Sequence, residues 1–205
     1  IFGGALLVRM IMVRYLATPA WVDSIHHGLI TRLIIETGAY PTTYAPYLEI
    51  EPTLYHPGFH TSVAAFIQLA DIGLPEGMLV YGQVINALII FPVFLLAKTF
   101  TRSSSAGIFA ALIAGLLTPM PAYYTSWGRY PQLAGLLILP LPLSLLVNAE
   151  SSARIKYDAR ILIGCSLAGA GLALVHYRAS AFLLCLLTGY FLSLGLRRSE
   201  FSIPI

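Results

Sequence analysis

The chain has 205 residues, 58% hydrophobic and only 10% charged, where a soluble domain carries about 25% charged residues. A water-soluble fold of this size could not hide so much apolar surface, whereas a bilayer is itself an apolar solvent. The formal net charge of +3 is too small to indicate a nucleic-acid partner.

A membrane-crossing helix needs about 20 apolar residues. Residues 1–15 read as the end of a span that opens in mid-run at Ile1, as in a fragment lacking its N-terminus. Residues 16–76 form a mixed stretch. It holds six of the nine acidic residues (Asp23, Glu36, Glu49, Glu51, Asp71, Glu76) and four of the five histidines. Within it, Val22–Thr37 has an amphipathic helical pattern, with Ile25, Leu29, Leu33 and Glu36 near one face and Ile30 and Ile34 as a second apolar set. Gly38 is placed to cap its C-terminus. Residues 40–55 are a loop rich in Pro and Tyr. Residues 57–72 form a second helix that begins with proline and is short for a span. Spans are then expected at 77–97, 105–122, 133–149, 161–176 and 179–196. Pro140 and Pro142 should kink the third of these. Cys165 and Cys185 lie in apolar runs and read as buried, inert thiols. The expected fold is an all-α, polytopic transmembrane bundle forming one membrane domain over 1–205, with interfacial helices in a large first outer loop.

Basic residues give the orientation. Lys98, Arg102, Arg154, Lys156, Arg160, Arg197 and Arg198 follow alternate spans and account for seven of the 12 Lys and Arg. The positive-inside rule puts them in the cytoplasm. Residues 57–72 cannot then be a span, since crossing there would move Lys98 and Arg102 outside. The segment 16–76, the loop 119–131 and the turn 176–178 all face outward.

Ten residues from four regions converge on that outer face: Asp23, His26, His27, Glu49, Glu51, His56, His60, Arg129, His176 and Arg178. Ionisable groups drawn into a cavity between membrane helices are costly and commonly functional. Asp23 could take a proton from an acceptor hydroxyl or simply cap its helix. His27 lies four residues after Asp23, on the same helix face. His56 and His60 have the same spacing, compatible with metal ligation. Glu49 and Glu51 would point to one side of an extended segment and could hold a divalent cation or be solvated. Arg129 and Arg178 stand among aromatics and suit a lipid phosphate. The chain lacks a P-loop, a Rossmann glycine pattern, a Gly-x-Ser-x-Gly and an HExxH. Support for ATP-driven transport and serine hydrolysis falls accordingly.

Three motifs carry a resemblance: Val-Asp-Ser-Ile-His-His at 22–27, Tyr-His-Pro-Gly-Phe-His at 55–60 and Ser-Trp-Gly-Arg-Tyr-Pro-Gln at 126–132. With the order of parts, they resemble the GT-C superfamily of integral-membrane glycosyltransferases. That group includes protein O-mannosyltransferases and aminoarabinose-type lipid A transferases. The resemblance implies sugar transfer from a polyprenyl-phosphate donor to an acceptor outside the cytoplasm, in the plasma membrane of a prokaryote. Asp23 would be the catalytic carboxylate, and Arg129 and Arg178 would bind the donor phosphate. His26, His27, His56, His60, His176, Glu49 and Glu51 would line the cavity, with membrane lipid around it. Many members pair two acids in the first loop, while Ser24 follows Asp23 here, so a divalent cation stays an open expectation. A transporter or flippase for a lipid-linked or anionic substrate, and a non-catalytic assembly subunit, are the competing readings.

Overall fold

The computed structural model describes residues 1–50, 55–151 and 159–200, and among them every regular element is helical. Helix α1 (Phe2–Val13) is followed by α2 (Val22–Thr37) and α3 (Pro57–Ala70), which pack on each other. Then α4 (Leu74–Leu88) and α5 (Ile90–Thr101) form one apolar rod. Helix α6 (Ser104–Leu112) returns into a π-helical turn, Ile113–Leu117. Two single-turn helices, α7 (Pro119–Ala122) and α8 (Tyr124–Trp127), lead to α9 (Tyr130–Ile138) and α10 (Pro140–Ser151). Helices α11 (Ala159–Val175) and α12 (Tyr177–Glu200) complete the described chain.

Three helical runs are long and apolar enough to cross a membrane: Leu74–Thr101, Tyr130–Glu150 and Tyr177–Leu196. Phe2–Val13, Ser104–Leu117 and Ala159–Val175 are apolar but shorter. Most of the last long helix is exposed. Only 11% of its most apolar window is buried, and Leu184, Leu192 and Leu196 face outward. Such a surface needs an apolar solvent. Cys185 lies on this exposed helix and Cys165 is half-buried, so protein packing does not enclose both thiols as their apolar surroundings had suggested.

Proline sets the breaks in the long rods, because it has no N–H for the carbonyl four residues back. Pro140 and Pro142 divide α9 from α10 at Leu139, where the kink was expected. Pro92 leaves the Leu88 carbonyl without its donor, and α4 gives way to α5 at Ile89, inside a span that read as continuous. The π-helical turn ends at an extended Thr118, ahead of Pro119. There a side chain satisfies one of the carbonyls left at the helix end: Arg9 Nη2 donates to Gly115 O at 2.9 Å. Arg9 Nε also donates to Asn86 Oδ1 at 2.8 Å, and Asn86 Nδ2 donates to Pro121 O at 2.9 Å. Arg9 and Asn86 are buried, so one polar knot ties α1, α4 and the π-helical turn together.

The main core joins Phe59, Val63 and Ile67 of α3 to Met78 and Ile85 of α4 and to Tyr130 and Leu133 of α9. Helix α2 turns Ser24, His27, Ile30 and Thr31 inward, while Ile25 is 76% exposed. The apolar face expected through Ile25 is thus displaced, because polar residues near the helix start find partners inside. Helix α3 also lies close against the end of α11. A Cβ at Gly58 would come within 2.9 Å of the Leu174 carbonyl and the Val175 side chain.

Replacing Arg9 with Leu bares the Asn86 and Gly115 acceptors, each costing about 1–3 kcal/mol when buried without a donor. The Arg9→Leu protein should therefore melt several degrees below wild type in detergent micelles, as followed by circular dichroism.

Candidate functional site

Four segments meet at the end of the bundle where α9 and α12 begin and α11 ends. They enclose a cavity of about 290 Å³, lined by Asp23, His26, His27, Tyr55, Arg129, Pro131, Gln132, His176, Tyr177 and Arg178.

Asp23 lies in the first turn of α2, whose N-cap position belongs to Trp21, so it is not the cap. Its carboxylate is turned to Arg129 instead, whose Nε donates to Asp23 Oδ2 at 2.7 Å. The guanidinium also lies over the Trp127 ring, 4.1 Å from its centroid. Gly128 makes this meeting possible. Its φ of +66° is left-handed, and a Cβ there would overlap Ser24 Oγ and the Ala20 carbonyl. A residue with a side chain would push the turn off α2 and carry Arg129 away from Asp23. Both partners are partly exposed, at 36% and 42%, so the pair adds little to stability. A competing anion can reach it.

Behind the cavity the histidines form a chain. His27 Nδ1 and His60 Nε2 are 3.1 Å apart, and His60 Nδ1 donates to the His56 carbonyl at 3.1 Å. Burial pushes both His27 and His60 down to about 3, reinforced by their histidine neighbours, so both are neutral at physiological pH. His56 lies between Tyr55, which it meets edge to face, and His176, with ring centroids 4.0 and 4.9 Å away. Burial pushes it down to about 4, and both its ring nitrogens are enclosed with no described hydrogen-bond partner. His176 caps α12: its Nδ1 accepts from the Ala179 backbone N–H at 3.3 Å. His26 Nε2 hydrogen-bonds the Tyr44 hydroxyl at 2.7 Å and pins the Tyr/Pro-rich loop to α2.

Of the residues singled out in the sequence, Asp23, His26, His27, Arg129, His176 and Arg178 line the cavity. His60 and His56 stand behind it. Glu49 is exposed and is not in the lining. After Tyr44 the chain turns, with the Tyr47 and Leu48 N–H groups donating to the Tyr44 carbonyl, and Glu49 follows that turn. Glu51 lies outside the described residues. Tyr55, Gln132 and Tyr177 also line the cavity. They stood in or beside the sequence motifs, and their aromatic and amide character was the available signal.

A divalent cation does not fit the described donors. Among the described residues no three His, Cys, Asp or Glu side chains converge as ligands. Asp23 is engaged by Arg129, and His27 and His60 are engaged with each other.

A family model matches residues 1–202, and the chain belongs to that family, DUF6541, described as a family of unknown function. No curated protein and no solved structure matches the chain.

The histidine chain gives a pH signature. Unfolded histidines protonate near 6.5, whereas His27 and His60 stay neutral in the fold until pH falls to about 3. The unfolded state binds more protons across that window, so stability holds above pH 6.5 and falls below it, by up to about 1.4 kcal/mol per pH unit for each histidine. Melting temperatures between pH 7.5 and 4.5 should follow this slope, and His27→Phe should flatten it.

Proposed function

We propose that this chain transfers a sugar from a polyprenyl-phosphate donor to a hydroxyl acceptor, at the non-cytoplasmic side of a prokaryotic plasma membrane. The observation that carries the reading is the Asp23–Arg129 pair in the cavity wall, with Arg178 in the same lining. Two cations suit a phosphate that gains negative charge as it leaves. A carboxylate beside them suits an acceptor proton. The aromatic rings of Tyr55 and Tyr177 suit the faces of a sugar.

The acceptor oxygen attacks the anomeric carbon while the bond from that carbon to the phosphate oxygen breaks. The electron pair leaves with the polyprenyl phosphate, held by Arg129 and Arg178. The acceptor proton passes to Asp23. Donor phosphate competes with Asp23 for Arg129, so binding of donor frees the carboxylate. The lipid tail runs down the apolar helices.

Orientation supports the side. Lys98 and Arg102 lie at the end of α5 and Arg160 at the start of α11, both away from the cavity. The positive-inside rule then turns the cavity outward, in a polytopic bundle with α2 and α3 at the interface. The transport reading would draw on the breaks at Ile89 and Leu139. However, the hollow beside them is lined by Leu88, Phe91, Pro92, Leu95, Leu137 and Leu141, with no polar group to hold a solute.

Purified protein in lipid nanodiscs would be given radiolabelled polyprenyl-phosphate hexoses and a membrane extract as acceptor source. Asp23→Asn is expected to lower transfer by roughly 10²–10⁴-fold. Equal transfer by both proteins would remove Asp23 from the mechanism, and no transfer from any donor would overturn the reading.

A further inference from the structure

The partners of the buried histidines fix where their protons sit. The His56 carbonyl oxygen only accepts, so His60 Nδ1 carries a proton. His60 is fully enclosed and neutral, so its Nε2 bears a lone pair. His27 Nδ1, 3.1 Å from that lone pair, must be the donor. A neutral His27 then has no proton on Nε2. Among the described residues no hydrogen bond to that nitrogen is seen. The ring lines the cavity and spends its Nδ1 on His60, which leaves Nε2 as the nitrogen available to a cavity ligand.

We propose that His27 Nε2 is a hydrogen-bond acceptor dedicated to a hydroxyl group of the cavity ligand, with His60 as the positioning residue that holds His27 in that tautomer. A free imidazole can present either a donor or an acceptor. The chain from His27 through His60 to the His56 carbonyl removes that choice. A phosphate or carboxylate oxygen facing His27 would meet lone pair with lone pair, so this side of the cavity rejects anions and takes hydroxyls. Arg129 and Arg178 do the opposite on their side. The cavity is thus divided into a wall that takes an anion and a wall, made of Asp23 and His27, that takes hydroxyls. A phosphate-linked polyol such as a glycosyl phosphate matches both. The ligand's identity rests on the glycosyl-transfer reading, while the tautomer does not.

Two measurements test this. The first uses nitrogen-15 histidine-labelled full-length protein in nanodiscs, reading the tautomer from long-range nitrogen–proton couplings. His27 is expected to carry its proton on Nδ1 and to shift to the Nε2–H form in His60→Phe. A proton on Nε2 in the wild type overturns the proposal. A folded His60→Phe protein that keeps the Nδ1–H form removes His60 from the positioning role. The second compares binding of farnesyl phosphate and of farnesyl phosphate bearing mannose. His27→Phe is expected to weaken the glycosylated probe roughly tenfold, the worth of about one hydrogen bond, and to leave farnesyl phosphate unchanged. Equal loss for both probes overturns the acceptor role. Wild type that binds neither probe overturns the glycosyl-transfer reading, and the tautomer result then stands or falls by itself.

Discussion

The turn around Gly128 has to lie against the first turn of α2, and the site depends on that approach. The ion pair it delivers, Asp23 to Arg129, is too exposed to hold two segments together that are 106 residues apart. The backbone contact and the buried residues around it do the holding. Tyr130, next in the chain, is completely buried, with its hydroxyl accepting from Gln83 Nε2 at 3.1 Å. Ser24, one residue after Asp23, is buried beneath the turn. The charged pair is therefore positioned by its neighbours rather than by its own attraction. A group held in this way can change partner at small cost.

The rest of the bundle meets a related constraint. Where the exterior is apolar, a backbone carbonyl deprived of its donor has no water to turn to. Each proline in a long helix therefore demands an answer. At Leu139 and Ile89 the answer is a break in the helix. At the end of the π-helical turn, the Gly115 carbonyl is met by a guanidinium brought from another helix.

Much of the architecture was legible in the sequence. The Val22–Thr37 helix and its Gly38 cap came from periodicity and glycine chemistry, and the start of α3 from Pro57. The gathering of Asp23, Arg129, His176 and Arg178 at one end came from charge asymmetry between connections. What stayed hidden were the pairings. Nothing local to His27 or His60 says that their rings meet, because their separation of 33 residues is bridged by tertiary packing. Ile25 and His27 compete for the inside of α2, and hydropathy alone favours the wrong one. Glu49 had the right chemistry, but only the turn at Tyr44 says where it goes. Pro92 leaves its run apolar, so hydropathy does not mark the break at Ile89.

Arg9 bears on how such a protein is made. Its two acceptors lie 77 and 106 residues further along the chain. A ribosome therefore finishes α1, with its guanidinium, long before Asn86 or Gly115 exists. A lone arginine within a short apolar helix is a poor resident of the hydrocarbon interior. Stable settlement of α1 in the bilayer thus has to wait for α4 and the π-helical turn. Biogenesis of this domain becomes a matter of timing, in which α1 is made well before the segments that secure it.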